Sequence, residues 1–154
     1  MGSEQGAIPP LIAIEIDVIV KHITALINQG ALSSSICIVA RTNELLSQYE
    51  GALRSNGHDV YRIRRSTAED RKVQGIRLAT MHRVKGLEFE HVVVAGVNEN
   101  IVPLAKAMSA DNPHEQAEGE KRERSLLYVA VTRAKQTVLI TYVGEPSIFL
   151  LDKM

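Results

Sequence analysis

The chain has 154 residues, 45% hydrophobic and 23% charged, which suits one globular domain able to bury its own core. Lys plus Arg and Asp plus Glu number 18 each, so the formal net charge is 0. That excludes a protein coating duplex DNA by bulk charge but leaves room for a local basic surface. Aromatic residues are 4% with no Trp, which argues against a broad base-stacking platform.

Met1–Ser3 reads as an expression remnant, and residues 1–7 are expected to lie outside the fold, as that remnant or as disordered chain. Residues 8–154 are expected to form a single domain. Residues 11–28 carry apolar residues at 16, 19, 20, 23, 26 and 27, the spacing of a helix, with Gly30 as its stop. Ile36–Ala40 is a short apolar run best read as a buried strand. It holds the one cysteine, Cys37, as a packing residue. Thr42 or Asn43 can cap a helix through about Ser55, with Leu45, Leu46, Tyr49 and Leu53 on one face.

Asp59–Ile63 is a second strand candidate. Residues 64–75 form a polar loop with Arg64, Arg65, Arg71 and Lys72, readable as a solvated segment or as a phosphate-tracking patch. Residues 76–80 and 91–96 are two further strands, the latter without alternation and so buried on both faces. A long loop is expected from Pro103 to about Gly119, then a helix over Glu120–Thr132 and a strand over Gln136–Val143. Pro146 breaks that strand, and a short apolar tail, 148–151, remains.

Helices alternating with short apolar strands imply βαβ units and a mostly parallel sheet, with ligands beyond the carboxyl ends of the strands. No G-x-x-x-x-G-K-[ST] occurs, so the chain lacks a P-loop. No Cys/His spacing suggests zinc, so no metal site is expected. No apolar run approaches the ~20 residues of a membrane span. The reading is therefore a cytoplasmic protein with no membrane partner.

Three segments carry polar or charged groups at element ends: ICIVARTNELLSQYEGAL, IRLATMHRVKGLEFEHVVVAGV and ERSLLYVAVTRAKQTVLIT. In this order they resemble motifs IV, V and VI of superfamily 1 helicases of the UvrD/Rep/PcrA type. The likeness covers about residues 11–143. The string T-x-H-x-x-K-G-L-E-F and the core Y-V-A-x-T-R-A are its specific parts.

The resemblance implies a three-layer RecA-like α/β domain, the second of two in an ATP-dependent DNA helicase or translocase of 3′→5′ polarity, as in DNA repair. It implies that ATP and Mg²⁺ are bound mainly by the N-terminal RecA-like domain of the same parent chain. The isolated chain would then hold no cofactor and be inactive alone. Single-stranded DNA is the expected track, with RNA left open.

By the same resemblance Arg41 and Arg133 would reach the γ-phosphate as arginine fingers. A guanidinium suits that role because it stays charged and presents a fixed fork of donors. Glu88 would accept from the ribose hydroxyls, with Gly86 allowing the tight turn before it. Thr80, His82 and Lys85 would face the single strand and bond phosphate oxygens without reading sequence. Tyr128 is read mainly as packing, Glu120 and Arg124 as an i,i+4 pair on a solvated face, and His58, His91 and His114 as without a role.

Three departures from the pattern stand out. Only 39 positions separate Arg41 from Thr80, so the large subdomain inserted there in UvrD, Rep and PcrA is missing. Ser125 stands where Arg is frequent. Asn100 stands where Gly is frequent, a mild change because Asn tolerates the left-handed region. An alternative is a binding module for nucleic acid or protein that has lost motor activity. A weaker one is an unrelated doubly wound nucleotide or flavin domain, against which the lack of a Gly-rich βα turn counts.

Overall fold

A computed structural model describes residues 10–64, 70–109 and 111–151, with the side chains of residues 10 and 11 left out. The expectations for residues 1–7 and for Arg65 fall outside the described residues. In chain order the elements are α1 (Pro10–Asn28), β1 (Ile36–Ala40), α2 (Asn43–Ser55), β2 (Val60–Arg62) and β3 (Ile76–Thr80). There follow β4 (Phe89–Val94), α3 (Pro113–Val131), β5 (Ala134–Ile140) and α4 (Ile148–Leu151). All five strands are parallel, in the order β2-β3-β1-β4-β5.

β1 lies at the centre because every one of its side chains is apolar and can be buried on either face. Ile36, Ile38 and Ala40 join a core with Leu78, Val93 and the inner faces of α1 and α2, through Ile19, Ile23, Leu46 and Leu53. Cys37 and Val39 point the other way, into a core with Ala79, Phe89, Val94, Leu127 and Ala130 beneath α3. This is the three-layer α/β arrangement expected. Cys37 is fully buried, as expected.

Two strands fall on their expected bounds and the rest shift by a few residues. The larger correction is α3, which starts at Pro113 rather than Glu120, inside the expected loop. Asn112 caps it by accepting from Glu115 N–H at 2.8 Å, and Pro113 occupies a position where a missing N–H costs nothing. A 3-10 helix, Ala105–Met108, lies against α3, and a methyl group at Gly119 would collide with the Ala107 carbonyl. Thr42 caps α2 as read, accepting from Leu45 N–H at 3.3 Å. Asn100 does adopt a positive φ, 70°. The apolar tail forms α4, whose Phe149 enters the core under α3.

One polar group is built into the core between the helices and the strand ends. Glu15 of α1 is 5% exposed. Its Oε1 accepts from Tyr49 Oη of α2 at 2.7 Å. Its Oε2 accepts from Gly96 N–H at 2.9 Å and from Thr141 Oγ1 at 2.7 Å, just past the ends of β4 and β5. Burial first, and the Glu15 charge and hydrogen bond next, push the Tyr49 phenol well above its ordinary value. Gly96 has φ +69°, and a β-carbon there would come within 3.1 Å of Tyr49 Oη. The site that brings a strand end this close to a helix therefore requires glycine.

Candidate functional site

The motif residues fall into two groups on either end of the sheet. Arg41, Thr80 and His82 follow the carboxyl ends of β1 and β3. The chain then runs back through residues 81–88 without a helix, so Glu88 lies at the amino end, just before β4. Arg133 lies there too, just before β5; its carbonyl accepts from Phe89 N–H at 3.0 Å. The motif residues thus do not all gather beyond the carboxyl ends: only part of them stand there. The return segment carries the rest to the opposite end.

At the carboxyl end, Arg41 is held by Glu123 of α3. Arg41 Nε donates to Oε1 at 2.9 Å and Nη2 to Oε2 at 2.8 Å, a two-point ion pair whose side chains are 12% and 4% exposed. Leu104 N–H donates to the same Oε1 at 2.8 Å. Burial raises the pKa of the Glu123 carboxyl. The Arg41 hydrogen bond, the Leu104 N–H and the Arg41 charge outweigh that, so it titrates below its ordinary range.

A group with a lowered folded pKa stabilises the fold above its unfolded value, and that contribution is lost as pH falls through the folded one. Glu123→Gln is therefore expected to be less stable than wild type at neutral pH, with a gap that closes in acid. Urea unfolding at about pH 7 and about pH 3 measures it. A gap of constant size would remove the ionised carboxylate from the account.

His82 is exposed, and its imidazole is held below the ordinary value, first by partial loss of water and then by the Arg41 charge. Thr80 is buried, and its hydroxyl accepts from Arg83 N–H at 3.3 Å, closing the turn that follows β3. Lys85 is exposed. Thr80 and His82 line an open groove of about 530 Å³ together with Arg41, Arg62, Arg64 and Arg83. Arg62 is committed to Glu50 at 2.9 Å and to Asn43. Arg64 and Arg83 carry no ion pair among the described residues and outnumber the one carboxylate that lines the groove, Glu44, so it keeps a positive surplus. Lys85 instead lines a second groove of about 660 Å³ that runs from Arg41 along α3 past Ser125 to Val129.

At the amino end, Gly86 has φ +84° with open space around it, so glycine serves conformation there and not packing. Glu88 is exposed. Arg133 is half-buried and oriented by three contacts: Nε to Val129 O at 3.0 Å, Nη1 to Leu87 O at 3.4 Å and Nη2 to Thr132 Oγ1 at 3.2 Å. Of the basic loop, Arg71 turns out to be architectural. It stacks over Phe89 at 4.4 Å and donates to the Glu88 and Ser34 carbonyls.

Tyr128 is 62% exposed, contrary to its reading as a packing residue, because Leu127 and Ala130 take the inward positions of α3. The Glu120–Arg124 pair is present at 3.8 Å. His58 and His91, given no role, hydrogen-bond Thr24 at 3.2 Å and Thr137 at 2.7 Å. Sequence reasoning missed Glu123. Its signal was present: a carboxylate four positions before the inward-facing Leu127, on the inner stripe of the helix.

Among the described residues no group of three His, Cys, Asp or Glu side chains is placed to hold a metal, and no helix is long and apolar enough to cross a membrane.

Residues 61–145 match the family described as UvrD-like helicase C-terminal domain. The ATP-dependent DNA helicase PcrA of Staphylococcus aureus is 39% identical over 75 residues, 49% of this chain and 10% of that protein. PcrA of Staphylococcus epidermidis is 42% identical over 67 residues, 44% of this chain and 9% of that protein. The chain thus spans about a tenth of the length of these relatives.

Among solved structures, the C-terminal domain of a possible DNA helicase from Lactobacillus plantarum superimposes with a TM-score of 0.63 at 20% identity. The match covers 88% of this chain and 71% of that one. The Hef helicase domain of Pyrococcus furiosus gives 0.52 at 15%, over 93% and 28%. The all-parallel five-stranded sheet is therefore that of helicase C-terminal RecA-like domains.

Proposed function

Because this chain belongs to the UvrD-like helicase C-terminal domain family, we propose that it is the second motor domain of an ATP-dependent DNA helicase or translocase, working against a P-loop domain of the same parent protein. Arg133 reaches the γ-phosphate from across the cleft, Glu88 takes the ribose hydroxyls, and Gly86 sets the turn that presents Glu88, while Arg41, at the opposite end of the sheet, adds its charge to the groove of Thr80 and His82. Thr80, His82 and Lys85 meet the backbone of single-stranded DNA, Thr80 and His82 in the groove where Arg64 and Arg83 add charge. Polarity is 3′→5′.

One observation carries the reading. Arg133 is oriented by Val129 O, Leu87 O and Thr132 Oγ1 at the same end of the sheet as Glu88, so the guanidinium and the carboxylate stand on one edge. Donors fixed in advance are what a site needs to stabilise charge spreading over transferring phosphoryl oxygens. These residues fit the terminal phosphate and the ribose of ATP. They do not supply a carboxylate cluster for Mg²⁺, so the metal and the remaining phosphates fall to the P-loop domain. When bound, that metal would neutralise charge on the phosphates. This chain's part is to orient and to supply the guanidinium charges.

The test is assembly. The isolated chain is expected to show no ATP turnover, with or without single-stranded DNA. Joined to its P-loop domain it should hydrolyse ATP in response to DNA. Turnover by the chain alone, or none by the joined protein, would count against the proposal.

A further inference from the structure

We propose that the track for single-stranded DNA does not end at Lys85 but continues along the outer face of α3, where Lys121 and Arg122 bind backbone phosphates and Tyr128 offers a ring for one base to stack on. The inference rests on the reading of the Thr80 and His82 groove as the DNA track. It extends that track to residues the reading leaves idle.

Three observations carry it. The first is continuity. The two large grooves share Arg41 and His82. The second of them shares Lys121, Ser125 and Val129 with a smaller one of about 320 Å³, which Tyr128 lines. One furrow therefore leads from the turn after β3 along α3. Lys121, Ser125 and Tyr128 follow one another at i, i+4 and i+7, the spacing of a single helix face. Arg133 lines none of these grooves.

The second is charge. Lys85, Lys121 and Arg122 carry no ion pair among the described residues. Beyond the Arg41–Glu123 pair, Glu118 is the one carboxylate lining the second groove, against these three cations. The chain as a whole has a net charge of 0, so the surplus is local, the footprint of a surface for a polyanion.

The third is the ring. Tyr128 is 62% exposed and its hydroxyl has no partner among the described residues, so it contributes little to the fold. Arg124 beside it is spent on the Phe149 ring at 4.4 Å and on Glu120. Cations that follow a backbone, with an aromatic face at their side, suit a single strand of any sequence. With aromatic residues at 4%, the ring serves one base and not a platform. A protein partner on this face would have to cover Lys85 and Lys121, a residue type that interfaces exclude. A phosphate backbone gains from both.

The test uses the complete helicase without nucleotide, a labelled oligothymidylate read by fluorescence anisotropy, and a series of salt concentrations. Alanine at both Lys121 and Arg122 should weaken binding most at low salt. The slope of log affinity against log salt should flatten by about 0.7 for each charge removed. Tyr128→Ala should weaken binding by about 5- to 100-fold at every salt concentration, because stacking is not ionic. Tyr128→Phe keeps the ring and should bind as wild type does. All three side chains are exposed, so the variants should fold. Alanine at both Arg64 and Arg83 reports on the first groove.

If that last variant binds weakly while the α3 variants keep wild-type affinity and salt slope, the extension is overturned and the reading of the first groove stands. Loss of ATP turnover in the α3 variants with DNA affinity intact also overturns it, and assigns the face to the P-loop domain. A Tyr128→Phe variant as weak as Tyr128→Ala overturns the stacking role. If no variant of either groove changes binding, the reading of the track fails and the inference goes with it.

Discussion

Replacing Arg133 with alanine is expected to slow ATP turnover by about 10³-fold or more in the complete helicase, with affinity for single-stranded DNA unchanged. The size follows from what the guanidinium can do. Arg133 is held by Val129 O, Leu87 O and Thr132 Oγ1, so its direction is set before any nucleotide arrives. A preset cation in a water-poor cleft stabilises developing charge without reorganising. DNA affinity is spared because Thr80 and His82 line a groove at the other end of the sheet. Lysine should not rescue the rate, since an ammonium cannot keep Nε on Val129 while presenting a fork. Steady-state hydrolysis at saturating DNA and fluorescence anisotropy with a labelled strand measure the two properties. Normal turnover in the alanine variant would remove Arg133 from its assigned role.

Glu15→Ala is expected to cost about 3–5 kcal/mol of unfolding free energy. The carboxylate receives the Tyr49 hydroxyl, the Gly96 amide and the Thr141 hydroxyl, and all three donors would be left in a dry interior. For a chain of this size the thermal midpoint should fall by roughly 10 °C. Glu15→Gln, which keeps an acceptor but turns an amide toward one donor, should cost about 1–2 kcal/mol. Urea titration of the chain gives both numbers, and an unchanged slope would place the loss in the native state. A loss under about 1 kcal/mol for alanine would mean that water enters and satisfies the three donors.

What could be read from the sequence divides along physical lines. β1 and β3 were legible residue by residue, because a buried parallel strand leaves an unbroken apolar run that polar residues end abruptly. The Thr42 cap was legible because capping is local. The start of α3 was equally local and still passed over: Asn112, Pro113 and Glu115 are an N-terminal signature, but the polar stretch behind them hides it.

Glu15 was not legible by any local rule, and Glu123 only by its place four positions before Leu127 on the inner stripe of α3. Glu15 meets a partner 126 positions away, and Glu123 one 82 positions away. Each reads as an ordinary charge on its helix, and only the assembled sheet shows that it is buried. The motif residues themselves were recognisable as strings, yet their division between two ends of the sheet was not, since it depends on the helix-free return of residues 81–88.

That α3 carries both arginine anchors has a mechanical meaning. Glu123 and Val129 are six residues apart, about 9 Å along one straight rod. A rod that short does not bend under thermal load, so the two contacts move together: a displacement beside Arg41 at one end of the sheet is felt beside Arg133 at the other. Slack between the two contacts would have to be introduced by breaking the rod. A proline at Leu126 would do so, uncoupling the timing of the two contacts while leaving each arginine its own anchor.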